Sequence, residues 1–320
     1  MNVKTPSIAL SVIIPVYNAE KTIGKLVEVL INTLNQQYKL EIVLINDNSK
    51  DRSEEVCVSL FERYRSIVRF YSLSKNFGEH SAVMAGLNKA TGDYAVIMDD
   101  DFQNPVEEVT KLVHKAQEND YDVVYSYYEK KKDSLFKNIG SWFNDKVANV
   151  MLRKPKDLYL SSFKILNRFL INEIIQYQAP FPYIDGLILQ FTDKIGKVKV
   201  EHHARQHGRS GYTLRKLISL WLNMFTNFSI LPLRGAVIFG FVFALFGMAL
   251  GVYYIIEKIL DPTLPVGFAT LSVSISIFSG IQLIALGMLG EYIGRIFLSL
   301  NKKPQFIIKK YFECRNKSDL

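Results

Sequence analysis

Three adjacent carboxylates, Asp99, Asp100 and Asp101, follow the apolar stretch YAVIM. Like charges this close repel one another, and a divalent cation relieves that repulsion. Hard oxygen ligands with space beside them for phosphate oxygens describe Mg2+ or Mn2+ on a diphosphate substrate. If extended backbone continues through the triplet, Asp99 and Asp101 point to one side and Asp100 to the other, so the outer pair converges on one ligand. A solvated turn without chemistry is the competing reading. Two other polar clusters end apolar stretches in the same way: Asn46, Asp47 and Asn48 after LEIVLI, and Ser74, Lys75 and Asn76 after VRFYSL. Late in the chain, RQHGRSGY combines cations, a hydroxyl and two glycines, and Arg205, Arg209 and Ser210 there can cradle phosphate. Lys130, Lys131, Lys132, Lys137, Arg215 and Lys216 are further cations that either hold an anionic acceptor or form a solvated face.

Other chemistries fit poorly. Cys57 and Cys314 are the only cysteines and lie far apart, which excludes a disulfide scaffold and a thiolate zinc site. His202, His203 and His207 cluster without a cysteine companion, and the aspartates already supply a metal role. His80, at the start of a helix, either caps it or touches substrate. No G-x-G-x-x-G follows the first strand, so a dinucleotide-dependent dehydrogenase is a poor reading.

The elements that must position these residues alternate. SIALSVIIPVY reads as a strand, and Asn18 caps the helix AEKTIGKLVEVLINTL. LEIVLINDNS is a second strand, followed by the helix DRSEEVCVSLFERY with Asp51 or Ser49 as its cap. VRFYSLSKNFG, DYAVIMDDD and YDVVYSYY are further strands, separated by the helices SAVMAGLNKA and VEEVTKLVHKAQE, the latter with Pro105 at its first position. Alternating strands and helices imply an α/β fold with a mostly parallel sheet covered on both faces. Its ligand crevice lies at the carboxyl ends of the strands, where the polar clusters sit.

The last third is different in kind. Residues 235–256 carry no charge over 22 positions and residues 263–290 none over 28, each enough for a helix to cross a bilayer. Burial of both as soluble core helices is the alternative. The connector carries Glu257, Lys258 and Asp261, whereas Arg295, Lys302, Lys303, Lys309, Lys310, Arg315 and Lys317 follow the second run, which places both termini in the cytoplasm. The segment 212–232 reads as an amphipathic helix in the membrane interface, anchored by Trp221. The N-terminal apolar run reaches Pro15 without a cleavage pattern and reads as a strand rather than a signal peptide. Net charge is +8, which favours polyanions, anionic headgroups or phosphorylated substrates without choosing among them.

IPVYN, INDNSKD, SKNFGEHSAVMAGL and MDDDFQNP, in this order and followed by H-x-x-R-x-x-G-R-S-G-Y and the paired apolar runs, resemble a family 2 glycosyltransferase of the GT-A fold. The subgroup resembled is the polyprenyl-phosphate glycosyltransferases, among them dolichol-phosphate mannose synthases and bacterial GtrB-like and ArnC-like enzymes. The resemblance implies a GT-A domain over 1–211, the interfacial helix over 212–232, a transmembrane pair over 233–298 and a basic cytoplasmic tail over 299–320. Residue by residue, it puts Pro15, Tyr17, Asn18 and Glu20 around the nucleotide base and Asp47 in hydrogen bonding to it. Lys75 and Asn76 stand where many members have Arg-Asn; the lysine keeps the charge but not the rigid fork. Asp99 and Asp101 match the ends of the D-x-D metal motif, with Asp100 between them and Gln103 close to metal and diphosphate. Asn104 replaces the more usual aspartate. Arg205, Arg209 and Ser210 fall in a loop that helps bind phosphates. Asp157, in DLYLSSFKILNR, matches a carboxylate that acts as base or orients the acceptor, and Ser162 and Lys164 depart from the commoner acid or cysteine and arginine. Asp185 belongs either to the acceptor side or to a helix cap.

The function implied is inverting transfer of one sugar from a nucleotide sugar, a UDP-hexose such as UDP-glucose or UDP-N-acetylglucosamine, to undecaprenyl or another polyprenyl phosphate at the cytoplasmic leaflet of the inner membrane. Mg2+ or Mn2+ is the implied cofactor, a homo-oligomer such as a tetramer the implied assembly, and nucleic acid is not a partner. A phosphate monoester is already anionic at neutral pH, its second pKa being about 6, so a strong general base is unnecessary. GDP-mannose as donor, a processive polysaccharide synthase, and a non-enzymatic adaptor or flippase subunit are the alternatives. The synthase is disfavoured because Gln206-x-x-Arg209 is followed by Ser210 rather than tryptophan, and two spans are too few for a pore.

Overall fold

β-Branched and aliphatic residues fill Ala9–Val16, which forms strand β1; it sits between two parallel neighbours and is almost wholly buried. Strands buried on both faces read as continuous apolar runs, and β2 (Lys39–Asn46), β3 (Val68–Leu73) and β4 (Tyr94–Ile97) follow the same rule. Helices α1 (Ile23–Leu34), α2 (Ser53–Arg63), α3 (Glu79–Lys89) and α4 (Glu108–Glu118) connect them. Then come β5 (Val123–Tyr127), β6 (Lys164–Asn167), α5 (Arg168–Ile174), α6 (Ile184–Phe191) and β7 (Ile195–Lys199). Two long helices, α7 (Leu231–Leu260) and α8 (Phe268–Leu300), precede the last strand, β8 (Ile308–Phe312). This computed structural model describes residues 8–128, 155, 158–201, 231–260 and 267–314.

The chain forms two units, Met1–Leu214 with Lys302–Leu320, and Arg215–Asn301. In the first, the eight strands form one sheet in the order β7-β5-β6-β4-β1-β2-β3-β8. β1 pairs parallel with β2 and β4, and β2 with β3, so these four strands end at one edge. β6 runs antiparallel between β4 and β5, and β8 runs antiparallel on β3. Leu10, Val12 and Ile14 of β1 face a core shared with Leu26 and Val27 of α1, Leu60 of α2 and Leu112 of α4. Each such side chain contributes about 1.5–3 kcal/mol by leaving water. Ile13 faces the other way, beneath α3. A Cβ on Gly86 would lie 2.3 Å from Ile13 Cγ2, so only glycine lets this helix lie so close to the sheet.

The segment 299–320 contributes β8, where Phe70 pairs with Phe312 and the two rings stack at 5.9 Å; Phe312 also tilts against Phe61 at 5.8 Å. An exposed strand edge on β3 is thereby covered.

In the second unit, Leu233–Leu260 and Ile277–Leu300 are long and apolar enough to cross a membrane, with mean hydropathy 2.3 and 1.5, and neither is buried. Val237 is 67% and Leu283 68% exposed, an arrangement that a soluble helix would not sustain along its length. Phe243 meets Phe278 edge-on at 6.3 Å, so the two helices touch. The helix α8 runs past the charge-free stretch, carrying Glu291 and Arg295 as a 2.8 Å pair one turn apart.

Three local expectations change, each at a helix start. Asn18 is not the cap of α1, which begins at Ile23 with no side-chain cap; Asn18 instead takes a left-handed turn at φ 55. Pro105 lies ahead of α4 rather than at its first position, and its carbonyl accepts from Glu108 N at 3.1 Å. Neither Asp51 nor Ser49 caps α2: Arg52 holds that position with no side-chain cap bond, and Asp51, just ahead of it, accepts from Ser53 N at 3.1 Å.

Candidate active site

Parallel pairing brings the carboxyl ends of β1, β2, β3 and β4 to one edge, and with them the polar residues that follow each strand. After β1, Asn18 N donates to Ser49 Oγ at 3.0 Å and Asn18 Oδ1 accepts from Lys50 N at 2.8 Å, which laces the β1 and β2 loops together. Asn18 and Asn48 both take left-handed backbone, a conformation asparagine tolerates better than most residues. Glu20 accepts from Arg52 N at 3.0 Å, and Ala19 N donates to Ser53 Oγ at 2.8 Å. Pro15 is half-buried in β1 opposite Ile45, while Tyr17 is exposed at the rim.

Asp47 is buried. Its two oxygens accept from Phe77 N at 2.7 Å and Gly78 N at 2.9 Å, drawing the β3–α3 loop over the end of β2. Burial raises its pKa and these two bonds oppose the rise. Gly78 sits at φ 92, a conformation that side-chain-bearing residues rarely adopt. Lys75 and Asn76 are exposed in the same loop, with Lys75 Nζ 5.0 Å above the Phe77 ring.

The acidic triplet departs from the extended geometry expected of it. β4 ends at Ile97, and the carboxylates lie in a tight turn in which Phe102 takes φ 60 and Asp101 Oδ1 accepts from Gln103 N at 3.1 Å. A bulky residue in left-handed backbone is a strained arrangement, of the kind found where a turn must aim functional groups. Asp101 is buried, Asp100 accepts from Tyr17 N at 3.3 Å, and Asn104 accepts from Tyr128 OH at 2.7 Å. Asp99 is half-buried. Surrounding protein and then the Glu79 carboxylate push its pKa up to about 7, and Ser162 Oγ, donating to Asp99 Oδ2 at 2.6 Å, pulls it back.

Behind Asp99 lies a buried ion pair. Lys164 Nζ donates to Asp185, whose Oδ1 also accepts from Tyr125 OH at 2.8 Å, and Lys164 lies 5.1 Å above the Tyr125 ring. Asp185 lies in the first turn of α6 and is not its cap; Lys164 and Tyr125 hold its carboxylate. Loss of water around His80 pushes its pKa down to about 4, and Tyr183 meets its ring edge-on at 4.9 Å.

Among the described residues no three His, Cys, Asp or Glu side chains converge as a closed metal cage. Mg2+ or Mn2+ on a diphosphate needs only one or two protein carboxylates, so the hard oxygens of Asp99 and Asp101 fit such an ion.

The glycosyl transferase family 2 profile matches residues 11–176, a span that contains every strand end just described. The chain belongs to glycosyltransferase family 2. Across nearly their whole length, two relatives agree: undecaprenyl-phosphate 4-deoxy-4-formamido-L-arabinose transferases of Photorhabdus laumondii, 33% identical over 94% of this chain and 93% of the relative, and of Edwardsiella ictaluri, 35% identical with the same coverage. Glucosyl-3-phosphoglycerate synthase from Mycobacterium tuberculosis, solved with Mn2+, UDP-glucose and phosphoglyceric acid, has a TM-score of 0.51 at 19% identity, covering 68% of this chain and 80% of its own; it shares the GT-A fold.

In this glycosyltransferase, Asp157, Arg205, Arg209 and Ser210 lie outside the described residues, as do Lys130, Lys131, Lys132, Lys137, Arg215, Lys216, His202, His203, His207 and nearly all of the 212–232 segment. Glu79 and Ser162 are additions to the site. Ser162 lies just ahead of β6, whose Lys164 pairs with Ile97 at the end of β4, and its side chain reaches Asp99 beyond that pair.

Proposed function

We propose that the protein transfers one sugar from a UDP-sugar to undecaprenyl phosphate at the cytoplasmic face of the inner membrane, inverting the anomeric carbon and releasing UDP. The observation that carries this reading is the insertion of two unburied apolar helices between β7 and β8 of the family 2 sheet. A lipid acceptor stays in the leaflet while a soluble donor arrives from water, and this chain has the apolar element for the first and the loop cluster for the second. The names of the relatives support undecaprenyl phosphate as acceptor. Because β7 and β8 belong to one sheet, the chain must return to the side it left, which supports an even number of crossings, and the cations that follow the second run favour the cytoplasm as that side.

In this reading Pro15, Tyr17, Asn18, Glu20 and Asp47 form the base and ribose side, with Lys75 and Asn76 at its rim. Asp99, Asp101 and Gln103 would hold Mg2+ or Mn2+, which when bound neutralises charge on the diphosphate, and Asp100 steadies the β1 loop beside them. Arg205, Arg209 and Ser210 hold phosphate, and Asp157 orients the acceptor. An acceptor phosphate oxygen attacks the anomeric carbon as the bond to the diphosphate breaks on the opposite face. Since the attacking oxygen already carries charge, placement and charge stabilisation supply the rate.

The test of the site is a titration of purified protein with UDP and with GDP, each with Mn2+ and with chelator. UDP binding that strengthens with Mn2+ is expected. Tighter GDP binding would move the donor to GDP-mannose, and indifference to chelator would remove the metal from the site.

A further inference from the structure

The stretch after α8 does more than close a sheet edge. Two residues beyond the helix, Lys302 turns the chain in left-handed backbone, and Gln305 Nε2 then donates to Tyr177 O at 2.6 Å and Ala179 O at 2.9 Å. These carbonyls belong to the loop between α5 and α6, which ends at Tyr183 against His80. Lys303 lies 5.4 Å over the ring of Phe181 in the same loop. On the other side, Ser74 N donates to Ile307 O at 2.8 Å, just before Lys75. Lys310 Nζ then pairs with Glu54 Oε1 at 2.7 Å.

Glu54 connects that lysine to the β1 and β2 loops. Its Oε2 accepts from Ser72 Oγ at 2.9 Å and from Asn46 Nδ2 at 3.3 Å, and Asn46 Nδ2 also donates to Ser72 Oγ at 3.1 Å. With its amide nitrogen held there, Asn46 presents Oδ1 to Ser49 N at 3.1 Å, and Ser49 Oγ accepts from Asn18 N. Asn46 is fully buried and adjoins Asp47, so its orientation fixes where both loops stand. The hydrogen bond from Lys310 is the leading cause of the lowered Glu54 pKa.

We infer that residues 302–313 form a strap that positions the donor site, and that Lys310 is a positioning residue for nucleotide binding, acting through Glu54 and Asn46. The inference rests on the assignment of the β1 and β2 loops to the nucleotide. An edge cover needs only backbone pairing and the Phe312 stack; the polar side chains instead reach further, Gln305 to the α5–α6 loop and Lys310 to Glu54 in the first turn of α2. The segment that leaves the second apolar helix thus organises the chemistry upstream of it.

The test compares Lys310→Met, Lys310→Arg, Glu54→Gln and the Met/Gln double variant in the full chain, reading UDP affinity with Mn2+, donor and acceptor KM, kcat and unfolding temperature. Lys310→Met should raise the UDP Kd and donor KM by about three- to tenfold, with acceptor KM unchanged and unfolding temperature within about 2 °C. Arginine should restore affinity to within about twofold, and the double variant should be no worse than the poorer single, as for two members of one chain of contacts. Unchanged UDP affinity in Lys310→Met would overturn the strap, as would equal rises in both KM values or losses that follow unfolding temperature. Wild-type protein that binds no UDP would overturn both the strap and the nucleotide assignment, whereas an active wild type with an indifferent Met variant retires the strap alone.

Discussion

Replacing Lys164 with methionine keeps the length and apolar stem of the side chain and removes only the charge. In the wild type the Lys164 and Asp185 side chains are 4% and 11% exposed, so neither can turn to water. Without the ammonium, Asp185 keeps a single described donor, Tyr125 OH. Removing one partner of a buried pair costs about 3–5 kcal/mol, and the remaining hydroxyl puts this site near the lower bound, at about 3 kcal/mol. At about 1.4 kcal/mol per decade, opening of the region should become roughly two orders of magnitude more frequent. Adding Asp185→Asn should recover more than half of the loss, because the uncompensated charge disappears with it. Native-state hydrogen exchange of the β5 and β6 amides reads this opening directly. Protection of Lys164→Met within about 1 kcal/mol of wild type, or a double variant less stable than the single, would refute a buried and mutually satisfied pair.

Asp101→Asn should lower metal-dependent transfer by at least about 100-fold while the unfolding temperature stays within about 2 °C, and full turnover in excess chelator would contradict that role. Ser162→Ala removes the hydroxyl that favours ionised Asp99 and should weaken Mn2+ binding by about three- to tenfold, read by metal titration in the presence of UDP. His80 has a pKa of about 4 in the folded protein against 6.5 free, so between these values the unfolded chain binds a proton that the folded one does not. Stability from this residue is therefore complete above pH 6.5 and falls as pH drops toward 4, by on the order of 1–3 kcal/mol given its partial exposure. His80→Asn should flatten denaturation midpoints across that window, and an unchanged slope would contradict the assignment.

Much of this architecture was legible because parallel strands announce themselves. β1 to β4 are apolar runs ended by polar clusters, and their common direction gathers Tyr17, Asn46, Asp47, Lys75 and Asp99 at one edge with no further information. What stayed hidden depends on contacts distant in the chain. The short IKKYF of β8 lacks alternation, and only its partner β3 makes it a strand, as the bond from Tyr71 OH to Glu313 illustrates. The extended geometry expected for the acidic triplet ends early: β4 stops at Ile97 and the chain bends at Asp100 and Asp101, ahead of left-handed Phe102. Nothing in PYIDG discloses that Asp185, at the start of α6, is paired with Lys164 of β6. Asn18 read as a helix cap because its hydrogen-bonding groups are of the right type, yet the β2 loop uses them.

The central claim is that one sugar passes from a UDP-sugar to a lipid phosphate. Purified protein in membranes containing undecaprenyl phosphate and Mg2+ or Mn2+, offered UDP-glucose, UDP-N-acetylglucosamine, UDP-4-deoxy-4-formamido-L-arabinose and GDP-mannose, should form a single monoglycosyl lipid and one equivalent of UDP. Growth of a polymer, donor hydrolysis without a lipid product, or silence across the panel would contradict it.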